Sequence, residues 1–323
     1  MNDAALLAGV NLTKDFAGTG RRHRAVQAVQ DVTLGVVRRE VLCLVGESGS
    51  GKSTTAAMLV LLERPSAGRV LFRGQDMSAV RSGKRLREYY RHVQIVLQDP
   101  FASLNPRHDV AYLVSRPMHV LGTARSNAER DERTVAMLKM VGLTPASEFL
   151  HKLPHQLSGG QRQRVAMARA LGVGPDVLVA DEPVSMVDVS LRMGILNLML
   201  KSRDEDGLAI LYITHDLASA RYIGDRIAVM YAGHVVEQGP VAEVLGHPSH
   251  PYTEALIAAV PQRGRPIDTV LIGSAEAKGG NGCPLQPRCP YRLPACAEMP
   301  PWTPVSAEHS VRCHLAESGQ PRE

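Results

Sequence analysis

The sequence predicts an α/β fold in which short buried strands alternate with helices, and three observations carry that expectation. The runs VLCLV (41–45), VLVA (177–180) and ILYIT (210–214) are almost wholly apolar, the pattern of strands covered on both faces of a parallel sheet. Each run gives way to a polar turn and then to a helical pattern, so helices should pack on both faces. Glycines, a lysine, paired acids and a histidine collect just after these strands, where open α/β sheets place their ligand sites.

Taken in order, the opening MNDAALLAGVNL lacks a cationic stretch and reads as strand-forming rather than as a signal peptide. Residues 31–45 hold two β-rich runs, and GESGSGKST then breaks into a helix, TTAAMLVLLE, which should stop at Arg64-Pro65. VQIVLQ (93–98) is a further strand, followed by the turn-rich DPFASLNPR. Residues 109–157 are mostly helical in pattern, with Gly142 as a C-cap. LSGGQRQRVAMARAL is a short glycine turn opening a helix. From about residue 261 the character changes: seven prolines lie between 284 and 304, and four cysteines between 283 and 313. Such a tail is not expected to continue the sheet.

A chain of 323 residues can bury a sizeable core, and 44% hydrophobic with 21% charged residues is the balance of an ordinary soluble protein. No segment approaches the roughly 18 uninterrupted apolar residues that cross a bilayer. The expected location is therefore the cytoplasm, with any membrane role exercised through partners. The net charge of +5 comes with local clusters, Arg21, Arg22 and Arg24, then Lys84, Arg85, Arg87 and Arg91. They could mark a nucleic-acid footprint. No aromatic residues are interleaved with them, which favours solvated loops and helix faces. A basic surface also suits a protein lying against an anionic inner leaflet.

Gly46, Glu47, Ser48, Gly49, Ser50, Gly51, Lys52 and Ser53 fit the phosphate-loop pattern GxxxxGK[ST], placed between a buried strand and a helix. Its glycines let backbone N–H groups turn inward around a polyphosphate, and the helix N-terminus, including Thr54, adds partial positive charge. Lys52 would reach the β- and γ-phosphates, and the Ser53 hydroxyl would ligate Mg²⁺. Asp181 and Glu182 end the VLVA strand. The first carboxylate can hold Mg²⁺ and the second can orient or deprotonate an attacking water. Ser158, Gly159, Gly160 and Gln161 open a helix as a second cluster of N–H donors. One nucleotide does not need two such loops, so the second would serve a nucleotide held by another subunit; an ordinary serine N-cap is the plainer reading.

In order, then, the chain holds GESGSGKST, Gln98 after VQIVL, LSGGQ, VLVADE, Asp188 and His215. Across residues 10–240 this resembles the nucleotide-binding subunit of ABC transporters. The resemblance implies a phosphate-loop ATPase with an inserted helical subdomain near 99–170. It also implies a dimer that sandwiches two ATP molecules between the phosphate loop of one chain and LSGGQ of the other. It makes Gln98 a sensor of Mg²⁺ and water, His215 a contact of the γ-phosphate, Asp188 a link across the dimer, and Phe16 the ring that stacks on adenine. Two departures stand out. Ser185-Met186-Val187-Asp188 replaces the usual Ser-Ala-Leu-Asp, which should alter packing and spare catalysis. Glu40 replaces a usual glycine, which reads as a surface change.

QDPFASLNPR, PHQLSGGQRQRVAMARAL and HPSHPYTEALIAAVP resemble the oligopeptide/dipeptide branch of ABC importers, whose relatives also handle nickel complexes, oligosaccharides and opines. The division expected is a nucleotide-binding domain over 1–255 and an extension over 256–323. Cys283, Cys289, Cys296 and Cys313 are spaced C-x5-C-x6-C-x16-C. Persistent disulfides are disfavoured in a cytosolic chain, leaving a metal or bare thiols. The close C-x2–4-C pairs common at zinc sites are missing, and four thiolates in a proline-rich tail suit a [4Fe–4S] cluster. The resemblance implies that cluster at these four positions; zinc and free thiols remain the alternatives. Cys43 reads as a buried core residue, and His309 and His314 as exposed. The partners implied are a second ATPase, by branch habit a paralogue, two transmembrane permeases and an extracytoplasmic solute-binding protein. The location implied is the cytoplasmic face of the inner membrane, with no nucleic acid bound. The rival is a soluble ABC ATPase acting on nucleic acid.

Overall fold

The structure, a computed structural model, describes residues 5–17, 26–99, 103–185, 187–260 and 282–318. Arg21, Arg22, Arg24 and Met186 thus lie outside the described residues. In chain order the elements are β1 (Leu7–Phe16), β2 (Val26–Val36), β3 (Val41–Val45), α1 (Lys52–Leu59), β4 (Ala67–Phe72), β5 (Gln75–Asp76), α2 (Lys84–His92), β6 (Val93–Val96), α3 (Val110–Leu121) and α4 (Asn127–Met140). They continue with α5 (Gly159–Gly172), β7 (Val177–Asp181), α6 (Val189–Asp206), β8 (Ala209–Thr214), α7 (Leu217–Ile223), β9 (Arg226–Tyr231), β10 (His234–Pro240), α8 (Val241–Gly246), α9 (Pro251–Ala258), β11 (Thr303–Pro304), β12 (Ser310–Val311) and α10 (His314–Ser318). The chain divides into two compact units, one of 1–7, 36–41 and 71–213, the other of 8–35, 42–70 and 214–323.

The first unit is built on three parallel strands. β6 pairs with β7 (Val93↔Val177, Val96↔Ala180), and β7 with β8 (Val177↔Ala209, Asp181↔Ile213). All of Val177–Asp181 is buried, as a strand covered on both faces requires. The Asp176 carboxylate anchors the start of β7. It accepts from Arg38 and Arg73 at 2.7 Å each and meets His92 Nδ1 at 2.5 Å. Burial pushes that carboxyl up, but His92, Arg73 and Arg38 together outweigh burial and hold it below the usual carboxylate range.

Helices α3, α4 and α5 of the same unit pack against one another. Asp109 caps α3 and Ser126 caps α4 by accepting the N–H groups of Tyr112 (2.9 Å) and Glu129 (3.1 Å). Gly142, at φ 74°, follows the last turn of α4 as expected. Glu40 corrects the surface reading: it is 6% exposed, and its Oε2 accepts the Val37 N–H at 2.7 Å. A buried acid in a tight turn is tolerated because the turn's own N–H satisfies it.

In the second unit β3 runs parallel to β9 (Leu42↔Arg226, Val45↔Val229). Every residue from Val41 to Val45 is at most 1% exposed, each such valine or leucine contributing about 1.5–3 kcal/mol by burial. Cys43 is among them, as expected. Beyond β9 the pairing turns antiparallel, to β10, then β12, then β11. Two expectations are corrected here. The strands are not all parallel, and the cysteine tail does continue the sheet, through Glu237↔Val311 and Gln238↔Ser310. Two-residue strands carry no periodicity for a sequence reading to detect.

α1 ends at Leu59, before Arg64-Pro65. Leu61 adopts φ 59° while its N–H reaches Met58 O at 3.0 Å and Leu62 N–H reaches Ala57 O at 2.9 Å. That is the paired closure of a Schellman end, here made by leucine rather than glycine.

Candidate functional site

In the second unit the loop 46–51 joins β3 to α1. Gly51, at φ 105°, is the left-handed N-cap of α1, and a Cβ there would run into the Ala28 carbonyl oxygen. A glycine is therefore obligatory at this turn. Gly49, at φ 80°, faces the other way, since a Cβ on it would meet nothing within 4 Å. The loop is thus packed on one side and open on the other, the shape of a cradle for an anion at a helix N-terminus. Lys52 is 6% exposed, and its Nζ donates to Gly46 O and Glu47 O at 2.7 Å each and reaches Ser50 Oγ at 3.4 Å. Those bonds hold the ammonium against its own loop, and a phosphate would exchange carbonyl dipoles for full negative charge. Ser53 is exposed and Thr54 half-buried on the first turn of α1. The residues present fit a polyphosphate.

The same unit places His215 exposed immediately after β8, with Asp216 capping α7 through Ala218 N–H at 3.0 Å. Phe16 lies at the end of β1, 39% exposed, with Lys14 Nζ 5.0 Å from its ring centroid. A large aromatic left in solvent is an available stacking surface.

In the first unit Asp181 closes β7 at 4% exposure, and Glu182 follows at φ 47°. A side-chain-bearing residue in the left-handed region costs on the order of 1–3 kcal/mol. The Glu182 N–H bond to Ile213 O (2.9 Å) and the Ser185 hydroxyl's bond to Glu182 O (3.0 Å) hold it there. Strain of this kind lets one carboxylate sit buried at the strand end while its neighbour is re-aimed. Gln98 is exposed just past β6, and Asp188 is the exposed N-terminal residue before α6. Val184, just before the unusual loop, and Val187, within it, are buried at 4% and 5% exposure.

Ser158 caps α5 by accepting Gln161 N–H at 3.2 Å, and Gln161 Oε1 accepts Ser158 N–H at 2.9 Å. This reciprocal capping box satisfies the helix end by local bonds. The plainer serine-cap reading therefore describes the local structure, while Gly159 and Gly160 remain small enough for close approach by a ligand.

The four tail cysteines are in the second unit and reduced. Burial raises the thiol pKa of Cys283, Cys289 and Cys313, that of Cys313 to about 11, and each of these thiols is raised further by neighbouring cysteines of the set. Cys283 N–H donates to Cys296 O at 3.0 Å. Yet among the described residues no three His, Cys, Asp or Glu side chains stand together closely enough to share one metal ion. His314 is half-buried, and His309 corrects the exposed reading, at 2% exposure with Nε2 2.8 Å from Glu237 Oε1.

Sequence reasoning gave Tyr252, Arg288 and Glu237 no role. Tyr252 accepts the Glu47 N–H of the phosphate loop at 2.9 Å. The sequence offered only a cap signal, His250-Pro251 at a helix start, and His250 Nδ1 does accept Tyr252 N–H at 3.0 Å.

Two family models match: "ABC transporter" over residues 29–185 and "Oligopeptide/dipeptide transporter, C-terminal region" over 236–296. The probable peptide ABC transporter ATP-binding protein y4tS of Sinorhizobium fredii is 42% identical, over 98% of this chain and 91% of that protein. The oligopeptide transport ATP-binding protein AppF of Bacillus subtilis is 40% identical over 90% of each. The di/tripeptide transport ATP-binding protein DppF of Pseudomonas aeruginosa is 37% identical over 97% and 98%. Among solved structures, the dimeric cassette MJ0796 in a post-hydrolysis state bound to ADP and Pi superposes with TM-score 0.67 at 30% identity, over 73% of this chain and 98% of that one.

Proposed function

We infer what this chain does from one premise: it belongs to the ATP-binding proteins of ABC transporters, in their oligopeptide/dipeptide branch. It has the ABC cassette fold and hydrolyses ATP to power transport. The cargo is peptide: the relatives named above are peptide, oligopeptide and di/tripeptide transport proteins. The observation that carries the ATPase reading is the phosphate loop, packed behind Gly51 and open at Gly49, with Lys52 held beside it.

Backbone N–H groups of Gly49 to Thr54 would bind the phosphates, Lys52 would bridge the β- and γ-phosphates, and Phe16 would stack on adenine. Ser53, Gln98 and Asp181 would hold Mg²⁺, which would supply positive charge against the phosphate oxygens. Glu182 orients and deprotonates the attacking water. Its strained backbone at the end of β7 supports that assignment. His215 contacts the γ-phosphate, and Ser158, Gly159, Gly160 and Gln161 cover the nucleotide of a second ATPase subunit, a paralogue, with Asp188 linking the two. The boundary proposed is a nucleotide-binding domain over 1–255, its helical subdomain near 99–170, and an extension over 256–323.

Cys283, Cys289, Cys296 and Cys313 would hold a [4Fe–4S] cluster. The C-x5-C-x6-C-x16-C spacing in a proline-rich tail, without the close C-x2–4-C pairs common at zinc sites, supports that reading over zinc. When bound the cluster would staple a tail that has little core of its own. No helix among the described residues is long and apolar enough to cross a membrane. The chain would sit peripherally on the cytoplasmic face, driving two permeases fed by an extracytoplasmic solute-binding protein. Lys84, Arg85 and Arg87 are exposed on α2.

Uptake of a labelled panel in the native host, wild type against Glu182→Gln, tests this reading. Selective loss of di- and oligopeptide uptake is expected. Loss of nickel or oligosaccharide uptake instead would reassign the cargo, and unchanged uptake throughout would refute the transport role.

A further inference from the structure

The His-Pro-Tyr segment is bonded to the phosphate loop. Tyr252 is fully buried, and its hydroxyl accepts the Glu47 N–H at 2.9 Å across 205 residues of sequence. The peptide groups it secures matter, because Gly46 O and Glu47 O are the two carbonyls that hold Lys52 Nζ. Whatever fixes Glu47 therefore fixes the resting place of the lysine.

The contact continues outward. The Tyr252 ring packs on Tyr231 with centroids 4.5 Å apart. Tyr231 ends β9 directly after Met230, whose carbonyl oxygen a Cβ at Gly46 would run into. Just beyond, Gly233 N–H returns to Ser50 O at 2.9 Å. On its far side the Tyr231 hydroxyl accepts from Arg288 at 3.0 Å, with the guanidinium 5.9 Å from the ring centroid. Arg288 stands between Cys283 and Cys289, in a turn fixed by its N–H bond to Leu285 O at 2.8 Å, and Leu285 is 1% exposed. Burial raises the Tyr231 phenol pKa and Arg288 opposes that, while Glu47 of the loop and Cys283 of the tail both raise it. One phenol thus feels both the phosphate loop and a cysteine of the tail.

We propose that Tyr252 is a positioning residue for the phosphate loop and that Arg288, Tyr231 and Tyr252 form a strut through which the four-cysteine segment sets nucleotide affinity. The proposal rests on the ATP-binding reading above. A donor-acceptor bond to the loop with no direct contact to phosphate acts on binding more than on chemistry. The cysteine segment, by moving Arg288, acts on the same bond.

The test is titration of the full-length chain with a fluorescent ATP analogue, with a melting curve of each variant in the absence of nucleotide. Tyr252→Phe keeps the ring and loses the acceptor; it should weaken binding about three- to tenfold, the loss of one hydrogen bond, with kcat at saturating ATP within about twofold of wild type. Arg288→Met should weaken binding in the same direction, and should still report if Tyr252→Phe fails to fold. The double variant should be no weaker than the worse single one, because both changes break one path. Unchanged affinity in Tyr252→Phe, or losses that simply add in the double variant, would overturn the strut. A wild-type chain that binds no nucleotide would overturn the ATP-binding reading itself.

Discussion

Glu237→Gln is the substitution whose cost can be worked most fully from the structure. Glu237 is fully buried on β10, and its carboxylate accepts three bonds: Ser249 N–H at 2.6 Å and His309 Nε2 at 2.8 Å on Oε1, and His250 N–H at 3.0 Å on Oε2. An amide of the same shape can keep its oxygen toward Ser249 and His309, but its NH₂ must then face the His250 N–H. One buried donor is left without an acceptor, at about 1–3 kcal/mol. The two surviving bonds lose their charge assistance, roughly half of their strength. The sum is about 2–4 kcal/mol of local stability. Hydrogen exchange read by mass spectrometry on a peptide that begins before Ser249 and runs through α9 is the assay. Because about 1.4 kcal/mol is tenfold in a local opening constant, exchange at Ser249 and His250 should accelerate by roughly one and a half to three orders of magnitude. Exchange within about twofold of wild type would refute the claim that this carboxylate ties the tail to the His-Pro-Tyr segment.

Glu182→Gln should keep nucleotide affinity and lower ATP turnover by at least about a hundredfold, the usual yield of a general base; normal turnover in a single-turnover assay would remove Glu182 from that role. Gly51→Ala forces a left-handed cap residue into the Ala28 carbonyl oxygen, so nucleotide binding measured by titration should fall with thermal stability, and a variant that binds normally would show that the loop is not constrained as described. His234 is held neutral, because burial and then Arg312 lower its pKa to about 4. The unfolded chain gains that proton below about pH 6.5. The wild type should therefore lose stability relative to His234→Gln as pH falls from 6.5 toward 4, and parallel urea midpoints across that window would contradict it.

Features that depend on neighbours in sequence were legible. VLCLV reads as a buried strand because five consecutive apolar residues can be satisfied only by cover on both faces, and all five are buried. Ser158 reads as an ordinary serine N-cap, and it does cap its helix, with Gln161 closing the box that the reading did not name. The phosphate loop lies between strand and helix as its spacing requires. Features that depend on distant partners were not legible. Glu40 is the local exception: the N–H that satisfies it, Val37, is only three residues away, but a backbone donor leaves no mark in the residue pattern. His309 finds its carboxylate 72 residues away, too far for any local pattern to reveal. The strands of the tail are two residues long and exist only because β10 offers an edge. Tyr252 carried a motif and no visible chemistry, because its partner lies across the fold. α1 also stopped short of its proline, since Leu61 closes the helix in a conformation that usually requires glycine.

The most direct measurement is peptide accumulation in proteoliposomes holding this chain with its second ATPase and permeases, supplied with ATP on the chain's side and a peptide-loaded binding protein on the other. Peptide should accumulate only with hydrolysable ATP, and the Glu182→Gln assembly should bind ATP and accumulate none. Peptide uptake that proceeds equally without ATP turnover, or ATP turnover indifferent to the loaded binding protein, would contradict the assignment of this chain as the motor of peptide import.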